Sequence, residues 1–123
     1  MSDDYVKTMY EIQNKSIDYH ANRNNLSVVK FMYICEQMRK THKILQNHQR
    51  IKEMINNNKI IFPSICNYNS MTIKFCGKPN NLILIFRKDN YFHFVFTILN
   101  TKVYKSYFTS RIDVIIENIE KCI

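Results

Sequence analysis

The hydrophobic period changes near Lys59, and this change limits the fold more than any other feature of the sequence. Before Lys59, apolar residues recur every three or four positions, as on one side of a helix. After it they alternate with polar residues, as in half-buried strands, until a helical period returns at the end of the chain. Helices followed by strands with short turns between them are typical of an α+β fold with an antiparallel sheet.

We therefore predict a single α+β domain over residues 1–123, with a helical part at about 3–57 and a sheet plus closing helix at about 59–123. The first helix is expected over residues 3–19, with Ser2 or Asp3 as its cap. Three asparagines within Ala21–Leu26 predict a break after it.

A longer helix is predicted to follow Ser27, whose hydroxyl is a preferred helix cap. Its apolar positions fit a helical period and also a heptad seam, the pattern through which helices pair. The seam marks a candidate dimerisation surface, formed by Val28, Phe31, Cys35, Met38 and Leu45. The apolar face then moves to Ile51–Ile55, which predicts a kink or a second short helix ended by Asn56-Asn57-Asn58.

The alternating part predicts a meander of four or five antiparallel strands. The strands are expected at Lys59–Phe62, Met71–Phe75, Leu82–Arg87, Tyr91–Leu99 and Lys102–Phe108. Gly77 lies in the predicted turn Cys76–Asn81, and Lys88-Asp89-Asn90 predicts a hairpin.

The closing helix is predicted from an isoleucine stripe that must be buried against one face of the sheet. The stripe consists of Ile112, Ile115, Ile116, Ile119 and Ile123. Ser110-x-x-Asp113 before it resembles a capping box.

The single glycine, Gly77, excludes several enzyme classes. Phosphate-binding loops, dinucleotide fingerprints and nucleophile elbows each need two or more glycines. The basic centre also lacks a carboxylate pair, and the four cysteines form no C-x-x-C motif, so we expect no catalytic residues, metal or cofactor. One enzyme alternative stays open, a small metal-independent ribonuclease that would use Arg87, Lys88, His93 and Tyr104 or Tyr107.

The charge distribution points to an anionic partner. The net charge is +8, and residues 21–109 hold fourteen basic and three acidic residues, a net +11. Such a block attracts nucleic acid, either DNA or RNA, or an acidic protein surface. The candidate nucleic-acid contacts are Arg39, Lys40, Lys43 and Arg50 on the helices and Lys74, Arg87, Tyr91, His93, Lys105 and Tyr107 on one face of the sheet.

The predicted residues on the sheet face favour single-stranded nucleic acid as the ligand, because aromatic rings stack on unpaired bases while cations contact phosphates. Two arrangements are open: this face is exposed to a ligand, or the long helix covers it. Our leading hypothesis is a non-enzymatic, basic module that binds nucleic acid as an accessory factor. The alternative is a protein-interaction module that forms a homodimer through the long helix and meets an acidic partner.

Composition also indicates a location and a source. The longest apolar runs are far shorter than the roughly 20 residues that cross a bilayer, and residues 1–4 lack the pattern of a secretory signal. We expect a soluble intracellular protein without a membrane partner, in the cytoplasm or the nucleus. The abundance of Ile, Asn and Lys is typical of AT-rich genomes, including those of many large DNA viruses, and such bias alone adds lysines.

Overall fold

The computed structural model describes residues 3–98, 101–103 and 109–123, which form five helices and a five-stranded sheet. The helices are α1 (Asp3–Lys15), α2 (Ile17–Arg23), α3 (Val28–Gln46), α4 (Gln49–Asn56) and α5 (Ile112–Glu120). The strands are β1 (Ile60–Ile61), β2 (Ser70–Phe75), β3 (Asn80–Phe86), β4 (Phe92–Ile98) and β5 (Thr101–Val103). The predicted α+β class is confirmed, with helices first, then an antiparallel sheet and then a closing helix.

The prediction of one helix over residues 3–19 is wrong, because the chain breaks at Ser16. The Ser16 amide donates to the carbonyl of Gln13 over 3.0 Å, which closes a tight turn between α1 and α2. Ile17 and Ala21 are then buried against Phe31 in a small core of their own. The two segments face different parts of the structure, so they cannot continue as one straight helix. Ala21, which we expected in the break, is helical.

The predicted long helix after Ser27 and the second short helix after it are confirmed as α3 and α4. The Ser27 hydroxyl accepts a hydrogen bond from the Lys30 amide over 3.1 Å, which caps α3 as expected. A second short helix, α4, follows directly, with His48 at its N-cap. It ends in the asparagine run, where Asn58 has a φ of +54°, a left-handed conformation that asparagine tolerates.

The sheet is an antiparallel meander in which spatial order equals chain order, β1-β2-β3-β4-β5. In β2, Met71, Ile73 and Phe75 are buried and Thr72 and Lys74 are exposed, as the alternation predicts. The turn between β2 and β3 contains Gly77 at a φ of +73°, and the hairpin between β3 and β4 contains Asn90 at +67°. Most of the predicted strand Lys102–Phe108 lies outside the described residues.

Helix α5 buries three of the five isoleucines of its predicted stripe, and it has no capping box. Ile115, Ile116 and Ile119 are fully buried, whereas Ile123 is 39% exposed. The N-cap is Arg111, and its amide donates to the Thr109 hydroxyl over 3.0 Å. The Asp113 carboxylate, which we expected to close the box with Ser110, instead accepts hydrogen bonds from the Arg111 guanidinium.

Helices α3 and α5 share one face of the sheet. Inward side chains of β2, β3 and β4 form one core with both helices and with α4; its members include Ile34, Met38, Ile73, Leu84, Phe94 and Ile116. The arrangement in which the long helix covers the Tyr91 and His93 face is therefore wrong. We call that opposite side the outer face of the sheet, and it carries Thr72, Lys74, Ile83, Ile85 and Val95 at exposed or half-buried positions.

Candidate functional site

Three of the predicted helix contacts line one groove. Arg39, Lys40 and Lys43 lie along the side of α3 that faces α1, and Lys7 of α1 joins them. The groove has a volume of about 760 Å³, and its far wall is the segment Phe62–Ser64 after β1. We name it the α1–α3 groove and define it by Lys7, Tyr10, Arg39, Lys40, Lys43 and Phe62. Lys7 was not among the predicted contacts, because it lies in the acidic first twenty residues.

Arg39 and Tyr10 hold α1 and α3 together on one side of the groove. The Arg39 guanidinium lies over the Tyr10 ring, 4.3 Å from its centroid, and its Nη2 donates to Asn14 Oδ1 over 3.0 Å. The Tyr10 hydroxyl accepts a hydrogen bond from the Cys66 amide over 3.1 Å. Burial raises the pKa of Tyr10 to about 12, so this hydroxyl stays protonated at neutral pH.

His42 and Phe62 lie at the far wall of the groove. The His42 Nε2 is 2.6 Å from the Pro63 carbonyl oxygen, to which it donates, and the His42 ring stacks on Phe62 with centroids 5.1 Å apart. Burial lowers the pKa of His42, although the hydrogen bond to Pro63 acts in the opposite direction. Neutral His42 therefore fixes the groove wall and is not one of its cations. His48 caps α4, where its Nδ1 accepts a hydrogen bond from the Arg50 amide over 3.2 Å.

The charge of the groove is predominantly positive. Four basic and two acidic side chains line it, the acids being Asp3 and Glu36. Lys40 and Glu36 form an exposed ion pair at 3.6 Å, a weak interaction at such a position. Lys7 and Lys43 have no carboxylate partner within the residues that the structure describes. Both can meet an anion without first breaking an ion pair.

Arg50 belongs to a different part of the structure from the other predicted helix contacts. Its guanidinium forms a bidentate ion pair with the Glu120 carboxylate, which ties α4 to α5. Both side chains are about two-fifths exposed, at 42% and 39%. The charge of Arg50 is already paired, and neither Arg50 nor Glu120 lines the α1–α3 groove. We therefore assign Arg50 a structural role between α4 and α5.

The predicted sheet contacts do not form one cluster. Lys74 lies opposite Asn81, whereas His93 lies opposite Ile85, four residues further along β3, so the two rows are about 13 Å apart along the strand direction alone. The half-buried Ile83 and Val95 pair in the row between them. Arg87 and Tyr91 are exposed at the hairpin end. Lys105 and Tyr107 lie outside the described residues.

His93 is a buried hairpin residue, 8% exposed. Its Nε2 is 2.9 Å from Asp89 Oδ2, and the same carboxylate accepts from the Tyr91 amide over 3.1 Å. Partial burial would raise the pKa of Asp89, but these two hydrogen bonds outweigh it and hold that pKa below its ordinary value. The hydrogen bond between His93 and Asp89 stabilises the turn. Tyr104 and Tyr107, one of which the ribonuclease alternative also requires, lie outside the described residues.

The proposed dimerisation seam is used inside the chain. Phe31, Cys35, Met38 and Leu45 are each at most 1% exposed, and only Val28 of the five candidates reaches the surface appreciably. The seam was correctly identified as an apolar line, but the rest of this chain covers it. A different side of α3 is exposed, and it carries Val29, Met32 and Tyr33.

Other chemistry is sparse within the described residues. No group of three or more His, Cys, Asp or Glu side chains there is placed to hold a metal ion, and the four cysteines form no disulfide. Burial raises the pKa of Cys35 and of Cys66 to about 11, which makes both thiols poor nucleophiles. No helix in this part of the chain combines the length and the apolarity needed to cross a membrane.

Comparison with known proteins gives no relative: no family model matches the chain, and neither a curated protein nor a solved structure matches it significantly. The function must therefore be argued from the groove itself.

Proposed function

We propose that this chain is a non-enzymatic module that binds nucleic acid through the α1–α3 groove, as an accessory factor. The observation that carries the proposal is the convergence of Lys7 with Arg39, Lys40 and Lys43 on a groove that Tyr10 and Phe62 also line. These side chains come from two helices whose sequences give no local sign of the shared groove. Cations along a groove meet successive phosphates, and this contact supplies affinity that does not depend on base sequence.

The strength of the electrostatic contribution can be worked out from the three lysines. If Lys7, Lys40 and Lys43 each neutralise one phosphate of a single strand, the logarithm of the association constant falls with the logarithm of salt concentration with a slope of about −2.1. Between 50 and 200 mM salt, this slope weakens binding about 18-fold. Any further phosphate contact makes the slope steeper.

The test measures fluorescence anisotropy of labelled 20-nucleotide strands across this salt range. Replacing Lys7, Lys40 and Lys43 together by Gln is expected to weaken binding and to make the slope less steep by about 2. A matched variant with the same loss of charge replaces Lys74, Arg87 and Lys88 by Gln, and it should bind nearly as well as the original chain. If this second variant loses the binding, the outer face of the sheet is the site. Absence of binding at low salt refutes the proposal.

The same samples test whether binding occurs without catalysis. Labelled RNA kept with excess protein and then separated on a denaturing gel is expected to stay intact. RNA-cleaving activity that co-purifies with the protein would instead support the ribonuclease alternative. The variant to compare is His93→Gln, because His93 is one of the residues of that alternative and histidine is the commonest general acid or base.

Protein interaction through α3 is a second candidate, and one observation favours it. Val29 is 79% exposed, Met32 52% and Tyr33 45%, which makes an apolar stripe on the surface side of the helix. Such stripes are typical of interaction surfaces. Homodimerisation through this stripe predicts a dimeric mass in sedimentation at tens of micromolar and a monomeric mass for Met32→Glu. A monomeric mass for the unchanged chain removes this candidate.

A further inference from the structure

We infer that the α1–α3 groove receives unpaired bases, with Phe62 as the ring on which a base stacks, so that its ligand is single-stranded nucleic acid. This inference rests on the proposed function and identifies the form of nucleic acid that the groove binds. The groove, and not the outer face of the sheet, then carries the preference for single strands.

Phe62 is held in place before any ligand arrives. It is half-buried at the groove wall, and its ring stacks on His42 with an interplanar angle of 27°. The segment that carries it is anchored by the 2.6 Å hydrogen bond between His42 and the Pro63 carbonyl. A ring fixed in this way loses little conformational freedom when a base packs on it, so stacking contributes more to affinity.

The Tyr10 side of the groove offers a second flat group. The Arg39 guanidinium lies 4.3 Å from the centroid of the Tyr10 ring, and its hydrogen bond to Asn14 helps to fix its plane. Planar guanidinium groups stack on unpaired bases as aromatic rings do. The groove thus has a flat group on each side of its floor, with lysines at the rim to meet the phosphates.

A duplex does not fit this chemistry. Its bases are paired and stacked on each other, so it presents mainly phosphates and groove edges to a protein. The rim lysines Lys7 and Lys43 could still contact a duplex, but Phe62 would gain no base. An unpaired strand can meet both the lysines and the ring, so it should bind more tightly than a duplex of the same sequence.

The experiment compares three probes at 50 mM salt: a mixed-sequence single strand, its duplex, and an abasic strand with the same number of phosphates. The single strand is expected to bind at least about fivefold more tightly than the abasic strand, which is the lower end of stacking on one ring. Phe62→Leu should remove most of that difference without changing abasic binding. Phe62→Tyr keeps a ring and should preserve the difference.

The outcomes separate the two proposals. Equal binding of the natural and abasic strands by the unchanged protein overturns the stacking inference, while a steep salt dependence for both would leave the proposed function standing. Equal binding of single strand and duplex also overturns it. Failure of all three probes to bind overturns both proposals. The comparison of natural and abasic strands uses the unchanged protein, so it gives an answer even if Phe62→Leu folds poorly.

Discussion

Gln13 is the polar residue whose replacement should most clearly show how α1 is attached. Its side chain is buried, its Nε2 donates to the Cys66 carbonyl over 2.7 Å, and its Oε1 accepts from the Tyr68 amide over 3.1 Å. Tyr68 has a φ of +56°, an unfavourable conformation for a bulky residue. One glutamine thus satisfies two backbone groups of the segment that leads into β2 and helps to hold a strained residue in it.

Replacing Gln13 by Leu keeps most of the volume and removes both hydrogen bonds. Each backbone group left without a partner costs about 1–3 kcal/mol, and the new apolar contacts offset part of this. We expect the free energy of unfolding to fall by about 2–4 kcal/mol, a large part of the roughly 5–15 kcal/mol typical of a domain. The corresponding fall in melting temperature is about 8–16 °C.

The assay is urea unfolding followed by far-UV circular dichroism, with the slope against urea compared between variants. The matched control is Gln49→Leu, the same change at an exposed position of α4, where the loss should be within about 0.5 kcal/mol. A loss for Gln13→Leu no larger than that of the control would refute the reasoning. The two hydrogen bonds would then contribute nothing measurable to stability.

Two further predictions concern His42 and the helix caps. Burial lowers the pKa of His42 below its ordinary 6.5, so as the pH falls the unfolded chain takes up this proton before the folded chain does. The contribution of neutral His42 to stability is therefore complete above about pH 6.5 and is lost as the pH falls below that value. Urea midpoints at pH 7.5 and pH 5.5 should differ less for His42→Gln than for the unchanged chain, and an equal difference in both would contradict this assignment. Ser27→Ala should cost about 1 kcal/mol, because that hydroxyl caps α3, whereas Ser110→Ala should be nearly neutral. Equal melting temperatures for the two serine variants would argue against the caps described here.

The sequence predicted those features of the fold that depend on local pattern. Alternation in β2, the hairpin at Asn90 and the stripe of α5 each follow from burial on one side of a single element, and all three are confirmed. The capping box at Ser110 was wrong because a stronger local partner, the Arg111 guanidinium, takes the Asp113 carboxylate. A short motif does not show such competition between neighbours.

The groove was only partly predictable. Arg39, Lys40 and Lys43 share one side of a helix, so their spacing alone placed them together. The positions of Lys7 and Phe62 depend on how α1 and the segment after β1 pack against α3, and no local signal contains that information. Arg50 fits the same basic pattern, yet Glu120, seventy residues further along the chain, pairs with it. Only the tertiary structure separates the paired cation from those in the groove.

The order of the sheet has a consequence for folding kinetics. Each strand pairs with its neighbour in the sequence, so the chain can add strands one after another with little loop-closure entropy at each step. The attachment of α1 is different, because Gln13 reaches residues 53 and 55 positions away. We therefore expect α1 to dock after the transition state for folding. Gln13→Leu would then speed unfolding strongly while leaving the folding rate almost unchanged.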